Sequence, residues 1–445
     1  MSSIGSRTPG RGRAAGLRVM LHVQHLLGTG HLFRTLAIAR ALAAIGAKVR
    51  VLSGGPPVAG IAHDGVELLQ LPAAQVLDAS FDRLVGSAGE PLDERWRAAR
   101  VEATLSAFDG FAPQVLVTET FPFGRGLLRF ELQPLMQRAR SASFRPMTVS
   151  SFRDILEKRS RNEQYERMAR LVEEWFDAIL IHADPDVTPF EASFPLCARI
   201  AHKLFYTGYV VGDASAEGDD ALPARPVASG FDVVVSAGGG RFGIELLRTA
   251  AACAGELDLA WLLLVGPQID ESAFQALRQA APANATVSRN RPDFQRLLRH
   301  ARVSVSQAGY NTVTDILRAR IPAVLVPFSD GRQMEQPMRA ATLQARGLAS
   351  VIAPADLSVG RLREALRSAL MQAAAVSDDP QRGAASAAAT AAEPTPEARP
   401  GSRTQRRTQA QRTSVRPIRL DGARASAELI VDLLHARGEA GGNGN

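Results

Sequence analysis

The stretch Leu17-Arg18-Val19-Met20-Leu21-His22-Val23, followed by the turn Gly28-Thr29-Gly30, constrains this chain more than any other feature. The apolar run is strand-like, and after the glycines Leu32, Leu36, Ala39 and Leu42 recur at helical spacing. Gly46 closes that helix, and Lys48-Val49-Arg50-Val51-Leu52 reads as the next strand. Strand, glycine turn, helix and strand make a βαβ unit, which implies a parallel sheet. The rhythm returns at Gln114–Thr118, Met147–Ser150 and Ala178–His182. A second series opens at Phe231–Ser236, runs into Gly238-Gly239-Gly240, and continues with strands at Ala260–Val265, Val303–Ser306 and Ala323–Val326. Two successive arrays of this kind predict an α/β chain of two Rossmann-like parallel-sheet domains facing each other across a cleft.

Composition places the boundaries. The two domains are expected at 17–211 and 231–375, joined by the polar, proline-containing linker 212–230. Residues 1–16 and 376–420 contain almost no large apolar side chains, so burial cannot offset the entropy of ordering them, and both are expected to be disordered. Ala427, Ile430, Val431 and Leu434 then form an apolar stripe on a closing helix, 421–437, expected to pack back on the fold. The two low-complexity segments also carry the charge. The chain has 445 residues and a net charge of +7. Residues 1–16 hold three arginines and no acid, 376–420 hold eight arginines against four acids, and the rest is therefore neutral in sum. No aromatic residues are interleaved with these arginines, so no specific nucleic-acid partner is expected.

Cys197 and Cys253 cannot make a disulfide framework or a zinc cluster, which points to a reducing, cytoplasmic setting with no metal site. The amino terminus does not read as a signal peptide, and the best apolar run, Leu257 to Val265, is short and interrupted by Asp258. Leu127, Leu128, Phe130 and Leu132, close to Arg125 and Arg129, fit either a membrane-interfacial patch or, as expected here, a helix packed into the first domain's core.

Both glycine turns sit where open α/β sheets place ligands. Gly28, Thr29 and Gly30 lack the third glycine of the dinucleotide fingerprint, with Arg34 near its place, so a nicotinamide cofactor is not expected. His31 stands at the start of the helix, where a neutral imidazole can take a proton from a hydroxyl; it fits equally a histidine that only hydrogen-bonds in the cleft. Gly238, Gly239 and Gly240 can cradle a phosphate with backbone amides or be a tight structural turn, and the Lys-Ser/Thr ending of a P-loop is missing. The most specific segment runs from Ser306 through Gly309, Tyr310, Asn311 and Thr312 to Asp315. Asn311 and Thr312 can cap a helix after the glycine, and the Asp315 carboxylate could accept hydrogen bonds from vicinal hydroxyls or simply compensate the helix dipole.

Gly309 to Asp315, the strand Ile321-Pro322-Ala323-Val324-Leu325-Val326-Pro327-Phe328, and Glu335-Gln336 with Arg339-Ala340 resemble the donor half of glycosyltransferase family 28, the MurG-like glycosyltransferases. The segments Glu119–Gly124, Ser151–Leu156 and Pro189–Ala192 are similar to an uncharacterised bacterial group within it. The resemblance spans about Leu17 to Ile352 and implies the GT-B architecture. It implies that a nucleotide-sugar donor lies in the carboxyl domain, with Asp315 on the ribose hydroxyls, Gln336 on the donor sugar and Gly238–Gly240 facing the diphosphate. It places His31 near the reaction centre as candidate base, with Glu119, Arg153 and Asp154 on the acceptor side. Three departures stand out: Asp315 where glutamate is usual, Arg339 in place of an amide, and one glycine fewer before His31.

These readings meet at one mechanism: transfer of a hexose or N-acetylhexosamine from a nucleotide-diphosphate sugar, UDP by resemblance, to an acceptor hydroxyl, with inversion and without a metal or other cofactor. The acceptor class stays open between small molecule, glycan and lipid-linked sugar, the last consistent with work at the inner face of the cytoplasmic membrane. The alternatives are a sugar-nucleotide epimerase using Glu119, Asp154 and Glu191, and a non-catalytic nucleotide-sugar-binding protein.

Overall fold

The computed structural model describes residues 13–77, 82–158, 161–211, 230–238, 243–289, 291, 293–329, 334–377 and 417–442. The first domain holds strands β1 (Arg18–Val23), β2 (Lys48–Ser53), β3 (Val66–Gln70), β4 (Val115–Glu119), β5 (Met147–Phe152), β6 (Ala178–Ile181) and β7 (Leu204–Tyr206). They form one sheet in the order β3-β2-β1-β4-β5-β6-β7, parallel throughout. Its helices are α1 (Gly30–Ala44), α2 (Glu94–Phe111), α3 (Arg129–Ser141), α4 (Asn162–Trp175) and the single turn α5 (Cys197–Ile200).

The second domain repeats the plan. Its strands are β8 (Val233–Ser236), β9 (Trp261–Val265), β10 (Ala285–Arg289), β11 (Val303–Ser306), β12 (Ala323–Leu325) and β13 (Ser350–Val351), in the parallel order β10-β9-β8-β11-β12-β13. The helices are α6 (Ile244–Ala254), α7 (Glu271–Ala280), α8 (Phe294–His300), α9 (Tyr310–Ala319), α10 (Glu335–Ala345) and α11 (Val359–Ser377). In each sheet the strand order reverses beside the first strand, between β1 and β4 and between β8 and β11. A crevice opens at the carboxyl ends of strands at such a switch point.

Alternation along the strands explains the layers. Val19, Leu21 and Val23 turn to one face of the first sheet, where Leu32, Leu36 and Leu42 of α1 cover them; Met20 turns to the other face. Each such side chain, fully buried, contributes about 1.5–3 kcal/mol. The core on the Met20 side is continuous between domains: it runs from Leu116, Phe121 and Phe152 to Val234, Leu264, Tyr310 and Leu343. Leu128 and Leu132 are buried in that core. Among the described residues no helix is long and apolar enough to cross a membrane.

The chain crosses between the domains twice. The last helix, α12 (Gly422–Gly442), returns to the first domain and packs on α1 through Ala427, Ile430 and Val431. The two crossings meet as antiparallel backbone: the Tyr209 N–H donates to the Arg419 carbonyl at 2.8 Å, and the Gly422 N–H to the Tyr209 carbonyl at 3.0 Å. The ends of the two segments expected to be disordered need correcting. Residues 13–16 form a turn in which Ala14 is buried and its N–H reaches the Ile45 carbonyl, and Arg13 ion-pairs with Asp432 of α12. At 417–420, the Arg419 N–H donates to Asp184, and Ile418 and Leu420 pack against the core. A few apolar side chains and available backbone partners were enough to order these ends. Residues 1–12 and 378–416 lie outside the described residues, as does 212–229 of the expected linker.

At Gly422 an added Cβ would lie 2.4 Å from the Gly208 carbonyl oxygen and 2.7 Å from the Tyr209 carbonyl group, all backbone. Gly422→Ala should therefore destabilise the chain by about 1–3 kcal/mol through the overpacked crossing. A fall in the denaturant midpoint checks this.

Candidate functional site

At the carboxyl end of β4 the Glu119 carboxylate is buried and gathers four side chains. His31 Nδ1 lies 2.6 Å from Oε1 and Thr120 Oγ1 donates to the same oxygen at 2.6 Å. Arg34 forms an ion pair with Oε1, and Arg125 Nη2 donates to Oε2 at 2.7 Å. Arg34 reaches this point because it stands three residues after His31 on α1 and shares its face. Burial alone would push the Glu119 carboxyl up; His31, Arg125 and Arg34 hold it well below the usual carboxylate range.

Burial pushes the His31 imidazole down, to about 3, against the pull of Glu119. The ring is therefore neutral at physiological pH. A contact of 2.6 Å to an ionised carboxylate needs a proton between the atoms, so Nδ1 carries it and Nε2 keeps its lone pair. The side chain remains 22% exposed, which leaves the ring open to a substrate. A neutral histidine oriented by a buried carboxylate is the arrangement a general base requires. With His31 neutral, two arginines face one carboxylate, and the cluster carries one net positive charge.

Behind it sits a second buried imidazole. His182 Nδ1 lies 2.9 Å from Thr207 Oγ1, and Ser151 Oγ lies 2.7 Å from Nε2. The Thr207 hydroxyl donates to the Gly208 carbonyl, so it accepts from Nδ1 and the Ser151 hydroxyl donates to Nε2. Burial pushes His182 down to about 3, so it is neutral as well.

The carboxyl domain meets this cluster with the start of α9. Asn311 presses against Gly30: a Cβ built there would lie 2.5 Å from Asn311 Nδ2, so any larger residue must displace the Asn311 amide. The amino-terminal turns of α1 and α9 thus adjoin across the cleft. Neither turn has a side-chain cap or an acid of its own, so its orphan N–H groups are left for an anion. Thr312 lies in the same turn as Asn311, after Gly309 at the N-cap. Gly28 and Thr29 lead into α1, with the nearby Leu27 carbonyl accepting from Gln268 Nε2 at 2.7 Å. Gly238 lies two residues after β8 with φ of 71°, and Gly239 and Gly240 lie outside the described residues.

Asp315, further along α9, is half-buried and accepts from Gln295 Nε2 at 2.9 Å. Burial raises its carboxyl to about 7, although Gln295 and Arg318 pull the other way. Gln336 Oε1 accepts from the backbone N–H groups of Ala308 and Phe328, both at 3.0 Å. Two N–H donors aimed at one atom require that atom to be the amide oxygen, so Gln336 ties the loops after β11 and β12 together and has its NH2 group to offer a ligand.

Arg153 and Asp154, expected on the acceptor side, are held in contacts between the domains. Arg339 of α10 grips Asp154 with two hydrogen bonds, of 2.6 and 2.8 Å, and both side chains are fully buried. Arg339 also donates to the Ala308 carbonyl and to Glu335, and Glu335 ion-pairs with Arg153. The arginine that replaces an amide of the resembled family is thus a domain-to-domain contact.

Sequence reasoning missed Arg125, Thr120, Ser151 and His182 as members of the site, and took Arg34 only as a missing glycine. The i, i+3 spacing of His31 and Arg34 was the available signal. The others come together only through strand order.

Residues 233–394 match the family described as Glycosyltransferase family 28 C-terminal domain. Two curated relatives, the UDP-N-acetylglucosamine--N-acetylmuramyl-(pentapeptide) pyrophosphoryl-undecaprenol N-acetylglucosamine transferases of Brucella canis and Brucella suis, are 31% identical over 134 residues. The match covers 30% of this chain and 35% of each relative, so the chain spans about a third of their length. Among solved structures, the glycotransferase of kitacinnamycin superposes with a TM-score of 0.57 at 17% identity, over 84% of this chain and 94% of that one. A ugt transferase from Siraitia grosvenorii in complex with UDP gives 0.55 at 16%, over 94% and 100%. MurG of Acinetobacter baumannii gives 0.50 at 17%, over 79% and 90%. At these identities the superpositions speak for the fold: this is a GT-B protein, two Rossmann-like domains on one chain. Over residues 233–394 its carboxyl domain is similar to the glycosyltransferase family 28 C-terminal domain.

Arg339→Leu leaves Asp154 buried without its counter-charge and should cost about 3–5 kcal/mol of unfolding free energy. The double variant Arg339→Leu with Asp154→Leu should recover most of that loss. Equilibrium denaturation of the three proteins reads the difference.

Proposed function

We propose that this chain is a nucleotide-sugar-dependent glycosyltransferase, moving a hexose or N-acetylhexosamine from a uridine-diphosphate sugar to an acceptor hydroxyl with inversion. The observation that carries the reading is the His31–Glu119 pair, set where the starts of α1 and α9 adjoin. The acceptor hydroxyl gives its proton to His31 Nε2 as its oxygen attacks the anomeric carbon. The bond from that carbon to the diphosphate breaks, and the nucleotide diphosphate leaves with the electron pair. Its charge is met by the amides of the two helix starts and by the positive charge of the Arg34–Arg125 cluster, so the reading assigns the step to no metal. The ribose hydroxyls donate to Asp315, and the Gln336 NH2 group donates to the sugar.

The curated relatives are named for a donor of this class and a lipid-linked acceptor, which supports the donor reading and makes a lipid-linked acceptor at the inner membrane face one arm of the acceptor search. An epimerase would need several carboxylates converging on the sugar. Here Asp154 is bound to Arg339 and Glu191 accepts from the Tyr206 hydroxyl, which favours transfer over epimerisation.

A thermal-shift panel of UDP-, GDP-, ADP- and dTDP-sugars tests the donor: stabilisation by one base alone supports the reading, and no shift with any overturns it. Separating transferred sugar from hydrolysed or isomerised nucleotide sugar then identifies the reaction. His31→Ala should lower turnover by about a hundredfold or more with donor affinity unchanged; wild-type turnover would remove His31 as base.

The two shifted groups predict a separable pH dependence. The ionised Asp315 carboxylate is the stronger acceptor and can take both ribose hydroxyls, so donor affinity should rise as pH is raised through about 7. Burial holds the His31 ring of the free enzyme down at about 3, so kcat/KM should show no histidine limb between about pH 5 and 8 beside that of Asp315. Binding titrations alongside initial rates across that range check both.

A further inference from the structure

We infer that Tyr310 is the positioning residue that fixes the donor turn against the base, an inference that rests on the glycosyl-transfer reading above. Tyr310 opens α9, directly before Asn311 and Thr312, and is buried against the first domain. Its hydroxyl is used in both directions across the domain boundary. It donates to the His182 carbonyl at 2.9 Å and accepts from the Val210 N–H at 3.0 Å. Val210 belongs to the crossing segment and is bridged to Asp421 on the returning segment, so the phenol is bonded to the paired backbone about which the domains would move. His182 is the residue whose ring binds Ser151, the cross-strand partner of Glu119.

The ring makes the second set of contacts. The guanidinium carbon of Arg34 lies 5.5 Å from its centroid and that of Arg339 lies 5.8 Å away. Arg34 holds Glu119 beside the base, whereas Arg339 holds Asp154 and stands one turn along α10 from Glu335, next to Gln336. One aromatic ring therefore attracts both cations, and the Tyr209 ring packs against it with centroids 5.7 Å apart. A residue serving only to fill the interface needs neither the two-way hydroxyl nor the two guanidinium groups. Together they set how far the start of α9 stands from the start of α1, and a misplacement of about 1 Å between reacting groups costs on the order of a hundredfold in rate.

The test uses the full chain with Tyr310→Phe, which removes only the hydroxyl, and Tyr310→Leu, which also removes the ring. Hydrogen exchange is read at 208–211 and at 28–33, the latter across the cleft. UDP affinity is read by calorimetry, and turnover as UDP released from the UDP-sugar that binds. The expected result for Tyr310→Phe is exchange at least tenfold faster in both segments, UDP affinity within threefold of wild type, and turnover at least tenfold lower. Tyr310→Leu should go further in the same direction. Faster exchange confined to 208–211 with unchanged turnover overturns the inference and leaves a purely structural contact. A wild-type chain that binds no nucleotide overturns the functional reading instead, and exchange at 28–33 then judges the coupling alone.

Discussion

Arg339 and Asp154 are two full charges removed from water, one from each domain, and the placement of everything else in the cleft depends on their meeting. Desolvating the two ions costs several kcal/mol each, and the attraction between them offsets this only when geometry is good and the remaining donors are used. Here they are used: the carboxylate takes two guanidinium N–H groups, and the guanidinium also serves the Ala308 carbonyl and Glu335. A pair so constrained is a poor source of stability but a good source of register, because any other docking of the domains leaves a charge buried alone. Apolar contact between the sheets, which is tolerant of sliding, could not supply that register by itself.

The charge in the Glu119 cluster follows a different logic. The Arg339 network balances, with two arginines facing two acids, whereas the Glu119 cluster does not: Arg34 and Arg125 face one carboxylate and a neutral imidazole. A buried surplus of this kind is tolerated where an anion completes it. Burial, with Arg125 and Arg34 adding to it, explains why His31 stays neutral despite touching a carboxylate. Neutrality is what a base needs; the same carboxylate without its arginines would pull the imidazole toward the charged, useless form.

How much of this the sequence showed depended on which signal each feature leaves. Fully buried strands such as Val115–Glu119 and Trp261–Val265 read directly, because both faces are covered and the run is apolar throughout. Strands β3, β10 and β13 went unread: each is partly exposed, at or near a sheet edge, and carries no apolar run. His31 and Asp315 were legible from their place after glycine turns. Glu119 was legible only by resemblance, and its partnership with Arg34 and Arg125 not at all, since the cluster joins residues up to 94 positions apart and exists only once β1 and β4 are neighbours. Arg153 and Asp154 entered with the resemblance, and their contacts with Glu335 and Arg339 of the opposite domain leave no signal in the sequence around them.

The +7 net charge sums to zero outside residues 1–16 and 376–420, so the global figure says little about the site. A surplus of one charge on largely buried side chains acts at an effective dielectric several-fold lower than that at the surface. Screening sharpens the contrast, because exposed charges lose their reach within about 8 Å at physiological salt while buried ones do not. The helix starts at Gly30 and Tyr310 add partial positive charge that no residue count registers. On the proposed reading, an anionic donor is met by the one surplus positive charge beside Glu119 and by two helix starts without side-chain caps, and those are positions in the fold rather than a composition.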